Sequence, residues 1–241
     1  MKIGNQDSSL YFELIAHDST PPGLNWRTAL ECKDTEGFTV LMREIDWDNE
    51  TTMARTDYTM QDVKIEAYEM YLERMEEELK TMPAIKEFKI LDKDSNGGMV
   101  YYYRQAMKPP TPDRDNLIRM SRLPQEDGSV LRIWNTIDML EYPVHEGCSR
   151  MDMYRAQMMK EVDNILQVTE FMNFSVRGQF MPKVNFTGQL ATHFQQKWVQ
   201  MYLKLVKFQQ EIDTAKAENV EQEVAEVQEN LSGLKVEQEA E

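Results

Sequence analysis

The chain has 241 residues, 41% of them hydrophobic, and a formal net charge of −15. That length and apolar share support one large domain or two small ones with a sizeable core, and they exclude wholesale disorder. The acidic balance disfavours general nucleic-acid binding and a standing grip on anionic membranes.

No apolar run reaches the roughly 18 residues of a transmembrane helix. The opening residues MKIGNQDSSL hold no long apolar core, so no secretory signal is expected and the location reads as cytoplasmic. Cys32 and Cys148 then read as free thiols. Together with His17, His145 and His193 they do not fall at metal-ligand spacing, so neither a metal nor another cofactor is expected.

Residues 1–25 read as a polar arm, broken at Pro21-Pro22-Gly23, with at most one short helix around 10–16. The sheet begins within 26–46. Residues 38–45 and 51–60 alternate as strands about a polar turn at 46–50, which predicts a hairpin. Over 62–82 the period changes. Ile65, Tyr68, Leu72, Met75, Leu79 and Met82 step by threes and fours, an amphipathic helix stopped by Pro83. The stripe reads as a core-facing surface rather than a cofactor box.

Six further strands are predicted at 85–92, 98–106, 115–122, 129–138, 148–156 and 162–174. Turn signals separate several of them: Ser95-Asn96-Gly97-Gly98, Pro109-Pro110-Thr111-Pro112, Glu126-Asp127-Gly128 and Tyr142-Pro143. Consecutive hairpins imply an antiparallel meander. The longest helix comes next, over about 183–215, with Ala191, Phe194, Trp198, Met201, Leu205, Phe208 and Ile212 on one face. A sheet of about eight strands closed by one large amphipathic helix is an α+β half-barrel, a shape that commonly leaves an interior cavity. Beyond it, Val220, Val224, Val227, Leu231 and Leu234 form a short heptad seam among glutamates. It reads either as a solvated tail or as a helix for a protein partner, with Gly233 as a stop.

Several motifs then stand in order: Asp113-Arg114-Asp115 after a Pro-rich loop, Asp127-Gly128, Glu141-Tyr142-Pro143, Gly147, Arg150, and Met181-Pro182-Lys183-Val184-Asn185 opening the last helix. In order and spacing they resemble the START lipid-transfer family, whose fold is the Bet v 1-like helix grip. The stretch Val100 to Asp115 resembles the phosphatidylcholine-transfer proteins of that family. The likeness covers about residues 26–210. It implies a START-like lipid-binding domain over 26–215, which leaves the arm at 1–25 and the acidic tail at 216–241, with its two readings, on either side. It also implies a lid loop at 106–113, a one-to-one complex with a lipid and no catalysis.

The lipid-binding positions this resemblance and strand parity suggest are Tyr101, Tyr103 and Gln105 on one strand and Asn116, Ile118 and Met120 on the next. Trp134, Tyr154 and, on the last helix, Phe194, Trp198 and Met201 complete them. The alternate faces, Leu117, Arg119 and Ser121 with Tyr102 and Arg104, read as more solvent-like. Tyr103 and Tyr154 keep aromatic character expected of a choline cage. Asn116 stands for a third aromatic, Ala156 replaces a polar ligand, and Met120 stands where many relatives place a buried arginine. Those departures imply a head group less polar than phosphatidylcholine's. Eighteen methionines suit a deformable pocket or ordinary core filling. No Ser-His-Asp or Cys-His set at motif spacing and no glycine-rich phosphate loop is present. The expected function is non-catalytic binding of one lipid or other hydrophobic molecule, with transient membrane contact. The alternative is an assembly subunit that reuses the fold and docks through its acidic tail.

Overall fold

The computed structural model describes residues 25–46, 52–176 and 189–238, with side chains on the last helix described from Gln195 to Gln222. Residues 1–24, the expected turn at 46–50 beyond Asp46 and the expected helix start at 183–188 lie outside the described residues. The elements are β1 (Arg27–Thr35), β2 (Phe38–Asp46), β3 (Thr52–Gln61), α1 (Ile65–Thr81), β4 (Ile85–Lys93), β5 (Met99–Gln105), β6 (Asp113–Pro124), β7 (Val130–Thr136), β8 (Cys148–Val162), β9 (Ile165–Val176) and α2 (Gln189–Gln238). The nine strands form one sheet in the order β1-β2-β3-β9-β8-β7-β6-β5-β4. Its first hairpins run antiparallel, and β9 returns to close on β3. With the C-terminal helix this is the START, or Bet v 1-like, helix-grip fold.

Among the strand bounds that differ from the expectation, two bear on the site. β1 is a strand of its own, and β8 runs past residue 156 to Val162. β8 continues because Gln157 is not a strand end. It is fully buried and hydrogen-bonded within the sheet's inner face. The β8–β9 hairpin turns on Asp163 and Asn164, with φ of 50° and 62°. A two-residue loop with both residues left-handed is the type I′ turn that matches strand twist, and Asp and Asn tolerate that region.

Alternation gives the sheet two apolar faces. On the inner face Phe38, Val40, Met42, Tyr58, Met60, Met159, Leu166 and Val168 cluster with Tyr68 and Leu72 of α1 and with Trp198, Tyr202, Leu205 and Ile212 of α2. On the outer face Ile45, Met53, Leu131, Ile133, Tyr154, Ala156 and Phe171 form a second cluster. The expectation that Leu117 and Tyr102 face solvent is therefore corrected. Leu117 is 0% and Tyr102 6% exposed, because the segment after β7 lies against them: Tyr142 packs on Tyr102 at 5.6 Å and the Ile137 amide donates to the Leu117 carbonyl.

α2 lies over β1 and β2. Tyr202 stacks on Phe38 at 5.2 Å, and Gln195 donates to the Cys32 sulfur. Gly37, at φ +75°, makes room for this contact, since a Cβ there would strike the Tyr202 hydroxyl. α1 and α2 are tied by Arg74–Glu211 and Lys216–Glu66 ion pairs, by Arg74 over the Phe208 ring, and by Gln209 accepting from the Lys64 amide. The helix does not stop at 215 or at Gly233. It runs unbroken to Gln238, 50 residues or about 75 Å.

Candidate functional site

Between α1 and the β4–β7 half of the sheet lies a cavity of about 310 Å³. α1 contributes Glu69, Leu72, Glu73 and Leu79, which its helical period places towards the sheet. Inner-face parity brings Phe88, Met99, Tyr101, Met120, Arg122, Arg132 and Trp134 from four adjacent strands. Lys93 and the turn at Ser95, Asn96 and Gly97 complete the lining. Phe88 stacks on Tyr101 at 6.0 Å and Tyr101 on Tyr103 at 6.2 Å, giving an aromatic ladder along one wall.

The polar end is built around one carboxylate. Glu69 Oε1 accepts from Arg122 Nε at 2.7 Å and Nη2 at 2.6 Å, and from Arg132 Nη2 at 3.3 Å. Burial pulls the pKa of the Arg132 guanidinium down and Glu69 partly restores it, so the residue keeps its charge. Neither arginine is among the residues expected from the sequence. The signal is there, because Arg122 and Arg132 share the parity of Met120 and Trp134. The uncharged position of Met120 therefore does not leave the cavity without guanidiniums.

Behind the cavity a polar cluster pins α1 to the sheet. The Gln157 amide lies 2.8 Å from both the Tyr58 and Tyr68 hydroxyls and 3.0 Å from Glu170, which also receives Arg155 at 2.7 Å. Arg155 stacks over the Trp134 ring at 4.4 Å. Burial raises the Tyr58 hydroxyl well above its ordinary value, with the neighbouring Tyr68 and Glu170 adding to it.

Of the expected residues, Tyr101, Met120 and Trp134 line the cavity. Tyr103, Asn116 and Ile118 continue the same inner face towards the 106–112 loop. There the Tyr103 hydroxyl is pushed up to about 12 by burial. Asn116 is 1% exposed, with neither amide atom hydrogen-bonded among the described residues. Gln105 shares this parity at the half-buried strand end. Tyr154 is a correction. It packs in the outer cluster with Ala156 because β8 residues 154 and 156 alternate away from Arg155 and Gln157. Trp198 and Met201 belong to the helix-on-sheet packing, not to the cavity lining. The side chain of Phe194 lies outside the described residues.

The family-like motifs hold the fold together on the outer face. Asp115, fully buried, receives Arg150 Nε at 3.0 Å, Arg150 Nη2 at 2.5 Å, the His145 amide at 2.7 Å and Tyr102 Oη at 3.4 Å. Arg150 also donates to the Tyr142 carbonyl. The cluster locks the place where β6 passes the end of β7 and pairs in parallel with β8. Asp127 caps its turn by accepting from the Ser129 hydroxyl and amide, and those bonds hold its carboxyl at about 2.

One cysteine–histidine pair approaches in space: Cys148 Sγ is 3.9 Å from His145 Nδ1. The partners argue against a nucleophile. Nδ1 faces the Glu146 carbonyl and so carries the proton, while Nε2 accepts from Arg104 at 2.9 Å. No lone pair is left for the thiol, and burial raises the Cys148 thiol above its ordinary value. Among the described residues no group of His, Cys, Asp and Glu is arranged to hold a metal, and no helix is long and apolar enough to cross a membrane.

The fold that carries this cavity is the helix grip seen in START domains. Solved structures of that type are similar to this chain. Human STARD10 aligns with a TM-score of 0.59 at 14% identity, covering 91% of this chain and 86% of that one. Human StAR-related lipid transfer protein 5 aligns at 0.55 and 13% identity, covering 86% and 95%. The human StarD13 lipid transfer and protein localization domain aligns at 0.51 and 11% identity, covering 86% and 96%. No protein-family model and no curated protein sequence matches the chain.

Proposed function

We propose that the chain binds, without catalysis, a single lipid or other hydrophobic molecule in the cavity between α1 and the β4–β7 wall, and carries it between membranes. The observation that carries this reading is the largely apolar hollow itself. It is lined by Leu72, Phe88, Met99, Tyr101, Met120 and Trp134, with a few polar groups gathered at one end. Each buried CH2 contributes about 0.8 kcal/mol, so chain length and shape dominate affinity. The lipid transfer named for two of the similar structures points the same way. The loop at 106–113, with Met107 exposed, is the segment proposed to part for entry during transient membrane contact. Phosphatidylcholine is not the proposed ligand: with Tyr154 on the outer face and Asn116 in an aromatic's place, a choline cage is incomplete. Native mass spectrometry of the full chain purified from its source tests the reading. A one-to-one adduct released on activation is expected. A bare mass, together with no uptake of added single-chain lipids, sinks it.

A second reading rests on α2. From Asp213 to Gln222 every residue of the helix is exposed, and residues 211–241 hold ten acidic side chains against two lysines. In this reading the tail, with Val220, Val224, Val227, Leu231 and Leu234 on one seam, docks a basic helix. Salt-sensitive binding of a lysine-rich amphipathic peptide by the full chain, lost on truncation after Lys216, is the expected result.

A further inference from the structure

We propose that the cavity selects a single-chain amphiphile with an anionic end group, a carboxylate or a phosphate, held by Arg122 and Arg132 in place of part of their bonding to Glu69. The inference rests on the cavity-binding reading and adds the ligand's charge and size.

The charge comes from counting the groups that meet. Two guanidiniums converge on one oxygen of Glu69, and one carboxylate neutralises only one of them. The neighbouring Arg155 is already matched by Glu170. The other charged residues lining the space, Lys93 and Glu73, carry one charge of each sign. The cavity wall therefore keeps one positive charge in excess. Arg132 is 5% exposed, and its Nε–H has no hydrogen-bond partner among the described residues. A buried guanidinium that is only partly bonded is costly, and an entering anion that completes its bonding offsets that cost. Guanidinium groups bind carboxylate and phosphate oxygens in a fork geometry, whereas a neutral head group gives them weaker acceptors.

The size comes from the volume. A cavity of about 310 Å³ lies at the bottom of the range for small-molecule sites, about 300–1,000 Å³, and suits one alkyl chain rather than two. Tyr101, Met120 and Trp134 would flank the chain next to the charged end.

The test compares cis-parinaric acid with its methyl ester, two fluorescent ligands of one shape and different charge, on the full chain. The acid is expected to bind about tenfold tighter, the worth of one charge-assisted hydrogen bond. R122Q and R132Q should remove that margin, so that acid and ester bind each variant with similar affinity. E69Q should widen the margin, because it removes the competing carboxylate, and this variant keeps the test decisive if R132Q fails to fold. Displacement by lysophosphatidic acid more strongly than by oleic acid assigns the phosphate as the natural head group; the reverse order assigns the carboxylate. Equal affinity for acid and ester, or a narrower margin in E69Q, overturns the proposal while leaving the cavity-binding reading standing. Failure of both probes to bind overturns both.

Discussion

Asp115 and Asp57 show how single carboxylates hold this sheet. Asp115 neutralises Arg150, 2% exposed, on the outer face. Asp115→Ala strands a buried guanidinium and should lower stability by about 3–5 kcal/mol in urea denaturation, whereas replacing both partners with apolar residues should recover much of the loss. A loss under about 1 kcal/mol for the single variant would mean that Arg150 reaches water. Asp57 works through linkage. Burial alone would raise its carboxyl, but hydrogen bonds from Arg55 and Arg43, with Thr169 beside them, bring it below the ordinary aspartate value. A depressed folded value means that the stabilisation is complete above the unfolded value, about 3.9, and fades as pH falls through the folded one. The stability gap between wild type and Asp57→Asn should therefore be constant from neutral pH down to about 4.5 and shrink below it. A gap independent of pH down to about 2 would refute the pairing.

At the scale of elements, the β8–β9 hairpin depends on its two left-handed residues. Asn164→Val places a β-branched side chain at φ 62° and should cost about 1–2 kcal/mol, seen as a lower melting temperature, while Asn164→Gly should be neutral or stabilising. A tolerated valine would mean that the turn is of another type. This hairpin is only half legible in the sequence, and the reason is local. Apolar alternation is the strand signal, and Gln157 and Lys160 interrupt it, although Gln157 is the buried donor that α1 and β3 meet. α1 is legible because Ile65, Tyr68 and Leu72 keep a helical period that a strand cannot imitate. The position of α2's stripe is legible for the same cause: Trp198, Leu205 and Ile212 are buried as the period requires. Its length is not, since the seam beyond 216 shifts phase and suggests a break where the backbone has none.

Across the whole molecule, the helix grip is legible because turn signals, strand parity and one long amphipathic helix agree on it, and parity puts Tyr101 and Met120 on the face that lines the cavity. The charged end is not, because Glu69 lies 53 and 63 residues from its two arginines and meets them only when α1 lies on β6 and β7. Tyr154 is misplaced when a family position is carried over without testing its parity against Arg155. The last helix carries the chain out beyond the domain. Its outermost described contact with the rest of the fold is Lys216–Glu66, an ion pair more than half exposed on both sides, and such pairs contribute at most about 1 kcal/mol. From Ala217 to Gln222 the helix is exposed throughout. A chain ending at Lys216 should therefore keep its cavity. It loses eight acidic residues and one lysine, and relief of like-charge repulsion acts in favour of the compact state. Its melting temperature should stay within a few degrees of the full chain's, and its affinity for cis-parinaric acid should be unchanged. A fall of more than about 8 °C would exceed what about 1 kcal/mol can shift in a domain of this size. It would mean that residues beyond Lys216 pack on their own domain, and the tail would then be part of the grip instead of a surface for a partner.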